Sequence, residues 1–226
     1  MRFIEKKKAP GILLRYIEIQ NRGNMHPTYN GLRSDAKGKT IKIVEKHLYK
    51  EQHKICCYCN RYLDDDYHVE HFLPQSKFKK DEVAYDNLFL SCNSSFTCGK
   101  VKKDLLISKY ITYPNCQDLI KYETNGEILP INSYKTIEKC YQNWNSLTIQ
   151  QKDILLFIET LKLNNKSLIE YRKNIYKEDY PKELERLELD TNLIKNRIIE
   201  IENNHNPDFY KSVLQYWLKQ YISKLK

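Results

Sequence analysis

The amino-acid sequence predicts an α+β fold: a small cysteine-stapled unit of two strands and a helix, between N-terminal helices and a mostly helical C-terminal part. Three observations predict it. Cys56, Cys59, Cys92 and Cys98 bracket the run His68-Val69-Glu70-His71. Short apolar runs, one ending near His71 and one around Leu88-Phe89-Leu90, read as strands. From about Thr148 onward, apolar residues recur at helical spacing. The expected divisions are a helical segment over 1–54, the cysteine-framed unit over 55–110 and a helical region over 111–226.

Taken in order, Pro10 opens a short helix to about Gln20, with Ile12, Leu13, Tyr16, Ile17 and Ile19 as its apolar side. Gly23, Pro27 and Gly31 mark a loop, and Ile41, Val44, Leu48 and Tyr49 predict a helix over about 34–54. After the two strands, residues 98–109 predict a short basic helix with Val101, Leu105 and Leu106 facing inward. Asn125-Gly126 reads as a hairpin-type turn. Amphipathic helices are expected over 149–163, 167–177, 183–203 and from 209 to the end, with Pro181 and Asn206-Pro207 as breaks. Val213, Trp217 and Tyr221 form the apolar seam of the last helix.

At 226 residues the chain can bury a real core. Its net charge of +9 is uneven: residues 1–110 carry 21 basic and 13 acidic side chains, net +8, and residues 111–226 carry 17 and 16, net +1. The positive field therefore surrounds the His-Glu-His run, where a polyanion would dock. The longest apolar run, 154–158, is far too short to span a bilayer, and no secretory segment follows the basic leader. A cytoplasmic, reducing setting with no membrane partner is expected, and there paired cysteines mean metal more often than disulfide.

Cys56-x-x-Cys59 places two thiolates on one tight turn, and Cys92 with Cys98 supplies the other half of a tetrahedral zinc site. The five-residue gap between Cys92 and Cys98 is wider than usual. Cys57 is an alternative to Cys56, but Cys57-x-Cys59 projects its sulfurs poorly onto one ion. Four protein ligands close the shell, so this zinc is structural. Cys116 and Cys140 read as core thiols.

Between the cysteine pairs lie groups suited to phosphodiester hydrolysis. His71 is the candidate base, because neutral imidazole is available near neutral pH. Glu70 is a hard oxygen ligand for Mg²⁺ or Mn²⁺, and His68 shares its face as a second ligand or as a residue that orients it. Asn87, beginning the second strand, is placed to bridge the backbone and fix the His71 ring. Lys100, Lys102 and Lys103 on the basic helix, at whose N-terminus Gly99 lets backbone approach closely, are candidate phosphate contacts.

The arrangement resembles an HNH nuclease of the ββα-metal type in its zinc-stapled branch, and more closely the HNH subunit of Septu-type anti-phage systems, also found beside some retrons. The match lies at Cys56–Cys59, His68–Phe72, Asn87–Asn93 and Cys98–Lys100, with a weaker one at Leu161-Lys162-Leu163-Asn164 leading to Leu168 and Arg172. The resemblance implies a general-base role for His71, metal ligation by Glu70 and an orienting role for Asn87. It also implies a partner ATPase related to SMC and ABC proteins, in a defence complex. Where the family pattern has His or Asn on the helix after the second strand, this chain offers Gly99 and Val101, leaving His68 or Asn93 to complete the metal shell. The expected activity is endonucleolytic, on DNA first. Cleavage of structured RNA such as tRNA, and a zinc-stapled nucleic-acid binder without turnover, are the alternatives. The C-terminal helices, through Leu156, Phe157, Leu161 and Leu168 or through Val213, Trp217 and Tyr221, are expected to receive the partner.

Overall fold

Pro10, extended at φ −62° and ψ 138°, leads into helix α1 (Gly11–Arg22), whose Leu13 and Tyr16 are buried. The computed structural model describes residues 2–203 and 209–225. Tyr16 donates its hydroxyl hydrogen to the Thr28 carbonyl (2.9 Å), and the Thr28 hydroxyl caps the N–H of Gly31. That cap starts a short helix, α2 (Tyr29–Ser34), inside the stretch expected to be loop. A 3₁₀ turn, Asp35–Gly38, follows, with Ala36, Lys37 and Gly38 all at positive φ. Helix α3 (Lys39–Glu51) therefore begins five residues later than its apolar spacing suggests, burying Ile41, Val44 and Leu48 as that spacing predicts.

Strand β1 (Tyr67–His71) pairs antiparallel with β2 (Leu88–Cys92), in the register Tyr67↔Cys92, His68↔Ser91, Val69↔Leu90, Glu70↔Phe89 and His71↔Leu88. All five residues of β2 are buried. Helix α4 (Gly99–Lys102) is a single turn, not the helix expected to 109, because Lys103 adopts φ 48° and ends it. Leu105 and Leu106, expected to face inward, are consequently exposed.

Strands β3 (Ile120–Tyr122) and β4 (Ile128–Pro130) form a hairpin about Asn125-Gly126, as the turn signal predicts. Helix α5 (Ile137–Gln142) follows, then α6 (Ile149–Thr160) and α7 (Lys166–Asn174). The turn between α6 and α7 is a junction. The Asn164 side chain exchanges hydrogen bonds with both backbone groups of Ile128 and accepts one from Arg172, whose guanidinium also donates to the carbonyls of Leu163 and Gly126. The Leu-Asn motif thus bolts the hairpin to α7. Burial lowers the pKa of Arg172 to about 10, so it remains a cation at neutral pH.

Pro181 does not break the chain's helical course. A π-type turn (Ile175–Asp179) joins α7 to α8 (Tyr180–Arg186), placing Pro181 in the first turn of α8, where its missing N–H is tolerated. The break comes later, where Glu188 and Leu189 take positive φ and Asp190 caps the N–H groups of Asn192 and Leu193. The helix expected over 183–203 is therefore two, α8 and α9 (Thr191–Asn203); α10 (Phe209–Lys224) closes the fold. Asn206-Pro207 lies outside the described residues.

One apolar cluster runs from Ile4 through the sheet to Leu218, and a smaller one joins Leu129, Cys140, Leu147 and Leu155. Cys116 and Cys140 are buried, as expected of core thiols. Phe157, Leu161, Leu168, Val213 and Trp217 pack into the large cluster, whereas Leu156 is 52% exposed. Among the described residues no helix is long and apolar enough to cross a membrane.

Gly126 sits at φ 91°, and a Cβ there would collide with the Ile169 carbonyl. Gly126→Ala should destabilise the protein by about 2–4 kcal/mol, from backbone strain plus overpacking. Gly11→Ala, where a Cβ meets nothing within 4 Å, should change little. Denaturant midpoints check both, and equal midpoints for the two variants would contradict the packing described.

Candidate metal centre and adjoining His-Glu-His site

The first cysteine turn is closed by backbone bonds from the Cys56 N–H to the Arg61 carbonyl (2.8 Å) and from the Asn60 N–H to the Cys56 carbonyl (3.0 Å). Asn60 supplies the left-handed residue that the turn needs, at φ 59°. Cys92 ends β2, and Cys98 stands immediately before α4 at φ 62° and ψ −140°. That backbone is costly for a non-glycine residue. It is held by the Cys98 N–H bond to the Leu161 carbonyl (2.9 Å), which ties the cluster to the α6–α7 junction.

The sulfurs of Cys56, Cys59, Cys92 and Cys98 all lie within 4.8 Å of one another and are buried. Those of Cys59 and Cys92 are 3.9 Å apart. Tetrahedral zinc with about 2.3 Å bonds sets its sulfurs roughly 3.8 Å apart, so this donor set fits one zinc ion. The Cys92 N–H also points at the Cys56 sulfur (3.4 Å), the outer-shell bond that a thiolate accepts. Cys57 is not part of the cluster, and burial pushes its thiol pKa well up. The wide Cys92–Cys98 gap is spanned by a loop.

Strand alternation divides the His-Glu-His run. On one face, Glu70 is buried, its Oε1 accepting from Lys102 Nζ (2.8 Å) and from the Tyr58 hydroxyl (3.0 Å). Its Oε2 lies 3.3 Å from His68 Nε2. Burial pushes the Glu70 carboxyl up, but the hydrogen bonds and charges of His68 and Lys102 outweigh it and hold the pKa below the usual value. Gly99 is packed against this pair: a Cβ there would stand 2.5 Å from Glu70 Oε2 and 2.7 Å from His68 Nε2. Two adjacent ligands of an octahedral ion at about 2.1 Å are roughly 3.0 Å apart, so one carboxylate oxygen and one imidazole nitrogen fit a divalent ion such as Mg²⁺ or Mn²⁺.

On the other face, His71 Nε2 lies 2.9 Å from the Glu82 carbonyl oxygen and 2.9 Å from the Gln75 amide, with the Tyr29 ring edge-on at 4.6 Å. Burial lowers the His71 pKa, offset in part by the Glu82 carbonyl and the Glu70 charge. The ring is therefore neutral at physiological pH. Asn87 bridges backbone: its side chain accepts from the Leu73 N–H (2.6 Å) and donates to the carbonyls of Leu73 and Asp81. It does so at the foot of the loop that leads to Glu82, while the His71 ring itself meets Glu82, Gln75 and Tyr29.

Lys102 departs from its expected place. It is 1% exposed, and besides Glu70 it donates to the His71 carbonyl (2.8 Å), so it holds α4 to β1 and is not presented to a phosphate. Lys100 and Lys103 are exposed, though the four-residue α4 is too short to act as a helix dipole. Asn93 bonds His68 Nδ1 (2.8 Å) and Asp66 (2.7 Å). Sequence reasoning missed Tyr58, Asp66, Gln75 and Glu82. Only Asp66 left a signal, since 66, 68 and 70 share one face at period two.

No protein-family model matches the chain. The curated "Retron Vc95 putative HNH endonuclease" of Vibrio cholerae serotype O1 biovar El Tor is 33% identical over 97 residues, covering 39% of this chain and 47% of that protein. The chain thus spans about half the length of this relative. Together with the buried cysteine cluster, this partial likeness supports a nuclease of HNH type.

Protein purified under reducing conditions should carry one zinc per chain, and Cys59→Ser or Cys92→Ser should lose it and unfold the surrounding segment, since metal binding supplies folding free energy. Metal analysis with circular dichroism reads both. Well-folded wild-type protein with far less than one zinc would refute the structural site.

Proposed function

We propose that the protein is a metal-dependent HNH endonuclease that hydrolyses phosphodiester bonds, DNA first. The observation that carries this reading is the end of β1. There a carboxylate–imidazole pair suited to a divalent ion (Glu70, His68) is followed in the chain by a buried imidazole (His71) on the opposite face of the strand, and the bend at 72–73 that ends β1 is what lets both serve one phosphate. The unit is then a ββα-metal module over 55–110, with β1, β2 and α4 as its parts.

His71 acts as the general base. The Glu82 carbonyl only accepts, so Nε2 carries the hydrogen, the Gln75 amide turns its oxygen to the ring, and the lone pair resides on Nδ1, the atom that takes a proton from the attacking water. Tyr29 and Asn87 restrict how far the ring and its supporting loop can move. Mg²⁺ or Mn²⁺, when bound at Glu70 and His68, supplies charge relief at the phosphate and at the leaving oxygen. Lys102 and Tyr58 hold the other Glu70 oxygen, keeping Oε2 directed at the site. Lys100 and Lys103, with the net positive charge of residues 1–110, draw the polyanion in without reading its sequence.

The retron in the relative's name and the Septu-type resemblance support a wider reading: the chain is the effector of an anti-phage complex with an SMC/ABC-like ATPase. Most of the apolar residues expected to dock that partner are packed in the core, so docking falls to what stays exposed, including Ile149 and Leu156 on α6.

Plasmid DNA and total tRNA, each incubated with the protein, Mg²⁺ or Mn²⁺, and with or without the ATPase, test the reading. DNA cleavage is expected, and cleavage of tRNA alone would replace DNA by RNA. His71→Ala should lower the rate about 10²–10⁴-fold with fold and zinc intact; wild-type rates in that variant would remove His71 from the role. The pH profile gives a further check. The base acts deprotonated and its pKa is lowered, so the rate should rise with pH through a midpoint below 6.5. A midpoint above 6.5 would contradict the buried setting of the ring.

A further inference from the structure

We infer that Asp66 and Asn93 are positioning residues that fix His68 as its Nδ1–H tautomer and turn its Nε2 lone pair toward Glu70. The use of that lone pair as a metal ligand rests on the divalent site proposed above. Asn93, one of the candidate ligands from sequence, acts through His68 instead.

The chain of bonds begins one rung beyond the β1–β2 ladder. The Asn93 N–H donates to the Asp66 carbonyl (3.3 Å), which sets the two side chains opposite each other at the sheet's end. Asp66 Oδ1 lies 2.7 Å from Asn93 Nδ2. A carboxylate accepts and does not donate, so it selects the NH₂ end of the amide and sends the amide oxygen the other way. That oxygen, Oδ1, lies 2.8 Å from His68 Nδ1. An amide oxygen also only accepts, so Nδ1 must carry the hydrogen. In a neutral ring the lone pair then falls on Nε2, 3.3 Å from Glu70 Oε2.

Two acceptors at that distance repel unless a cation or a second ring proton lies between them; in the ion-free protein that second proton is what His68 gives to the Glu70 carboxylate, and a bound cation takes its place. The far side of Glu70 is fixed as well, because Lys102 and Tyr58 occupy Oε1. Both members of the pair are therefore aimed before any ion arrives, the outer-shell arrangement that raises the affinity of a histidine ligand. Asp66 is exposed and Asn93 half-buried, so neither has a core-packing role that would account for the alignment.

The test has two readouts on the full chain. In ¹⁵N-histidine-labelled protein, at a pH where the ring is neutral, long-range ¹H–¹⁵N spectra should show His68 as Nδ1–H. Asn93→Ala should return it toward Nε2–H, and Asp66→Ala should do so in part. Calorimetric titration with Mn²⁺ should show affinity falling about 10–100-fold in Asn93→Ala and less in Asp66→Ala, with zinc content unchanged. Should Asn93→Ala misfold through its nearness to Cys92, the exposed Asp66→Ala carries the same two readouts. An Nε2–H ring in the wild type, or Mn²⁺ affinity untouched by both substitutions, overturns the inference. An Nδ1–H ring that Asn93→Ala abolishes, in a wild type that binds no Mn²⁺, supports the orienting chain and overturns the divalent-site reading alone.

Discussion

Four buried thiols, close enough together to hold one metal ion, meet at the centre of this protein. The cluster joins a turn at Cys56–Cys59, the end of β2 at Cys92 and the start of α4 at Cys98. None of these pieces is stable alone: a two-stranded sheet is marginal in water, and a one-turn helix is well below the length at which helices persist. A tetrahedral ion on these four thiols would supply closure that the short elements do not make by themselves. The cluster also reaches outward, through the Cys98 N–H bond to Leu161, into the junction where Asn164 and Arg172 fasten the second hairpin.

Within that frame, strand alternation separates two environments only one residue apart. Glu70 enters a charged setting of Lys102, Tyr58 and His68. His71 enters a neutral one of backbone carbonyl, amide and aromatic edge. The charged side keeps the carboxylate ionised against its burial, whereas at His71 burial itself holds the imidazole pKa down, against the opposing pull of the Glu82 carbonyl and the Glu70 charge. Both are the protonation states that metal-assisted hydrolysis requires.

What the sequence made readable follows from the range of the forces involved. Helix faces such as Ile41, Val44 and Leu48, the two strands, and the Asn125-Gly126 turn are fixed by local periodicity and turn chemistry, and they appeared where expected. The cysteine cluster was readable because ligand spacing is a strong local signal. Helix ends were not, because they are set by single left-handed residues: Gly38 before α3, Lys103 after α4, Glu188 and Leu189 before α9. The burial of Lys102 was hidden for a different reason. A lysine in a basic stretch reads as surface, and only the carboxylate it meets across the fold explains why it turns inward. The α6 and α10 seams likewise look identical in sequence whether they meet a partner or their own core.

Lys102 is fixed by two anchors of different kinds: its own bond to Glu70, and the helix turn that the preceding cysteine starts. Placing the ammonium and loading an ion on the cysteine cluster would therefore be linked equilibria, each stabilising the other by the same free energy. With no ion on the thiols, α4 would be held by the Cys98 N–H bond to Leu161, the Gly99 N–H bond to Ser91 and the two bonds of Lys102 alone. Should those bonds give, a buried carboxylate without its counter-charge would reopen toward water. A metal staple at the thiols would thus do more than hold shape, because it would also bear on the electrical balance of the pocket beside it.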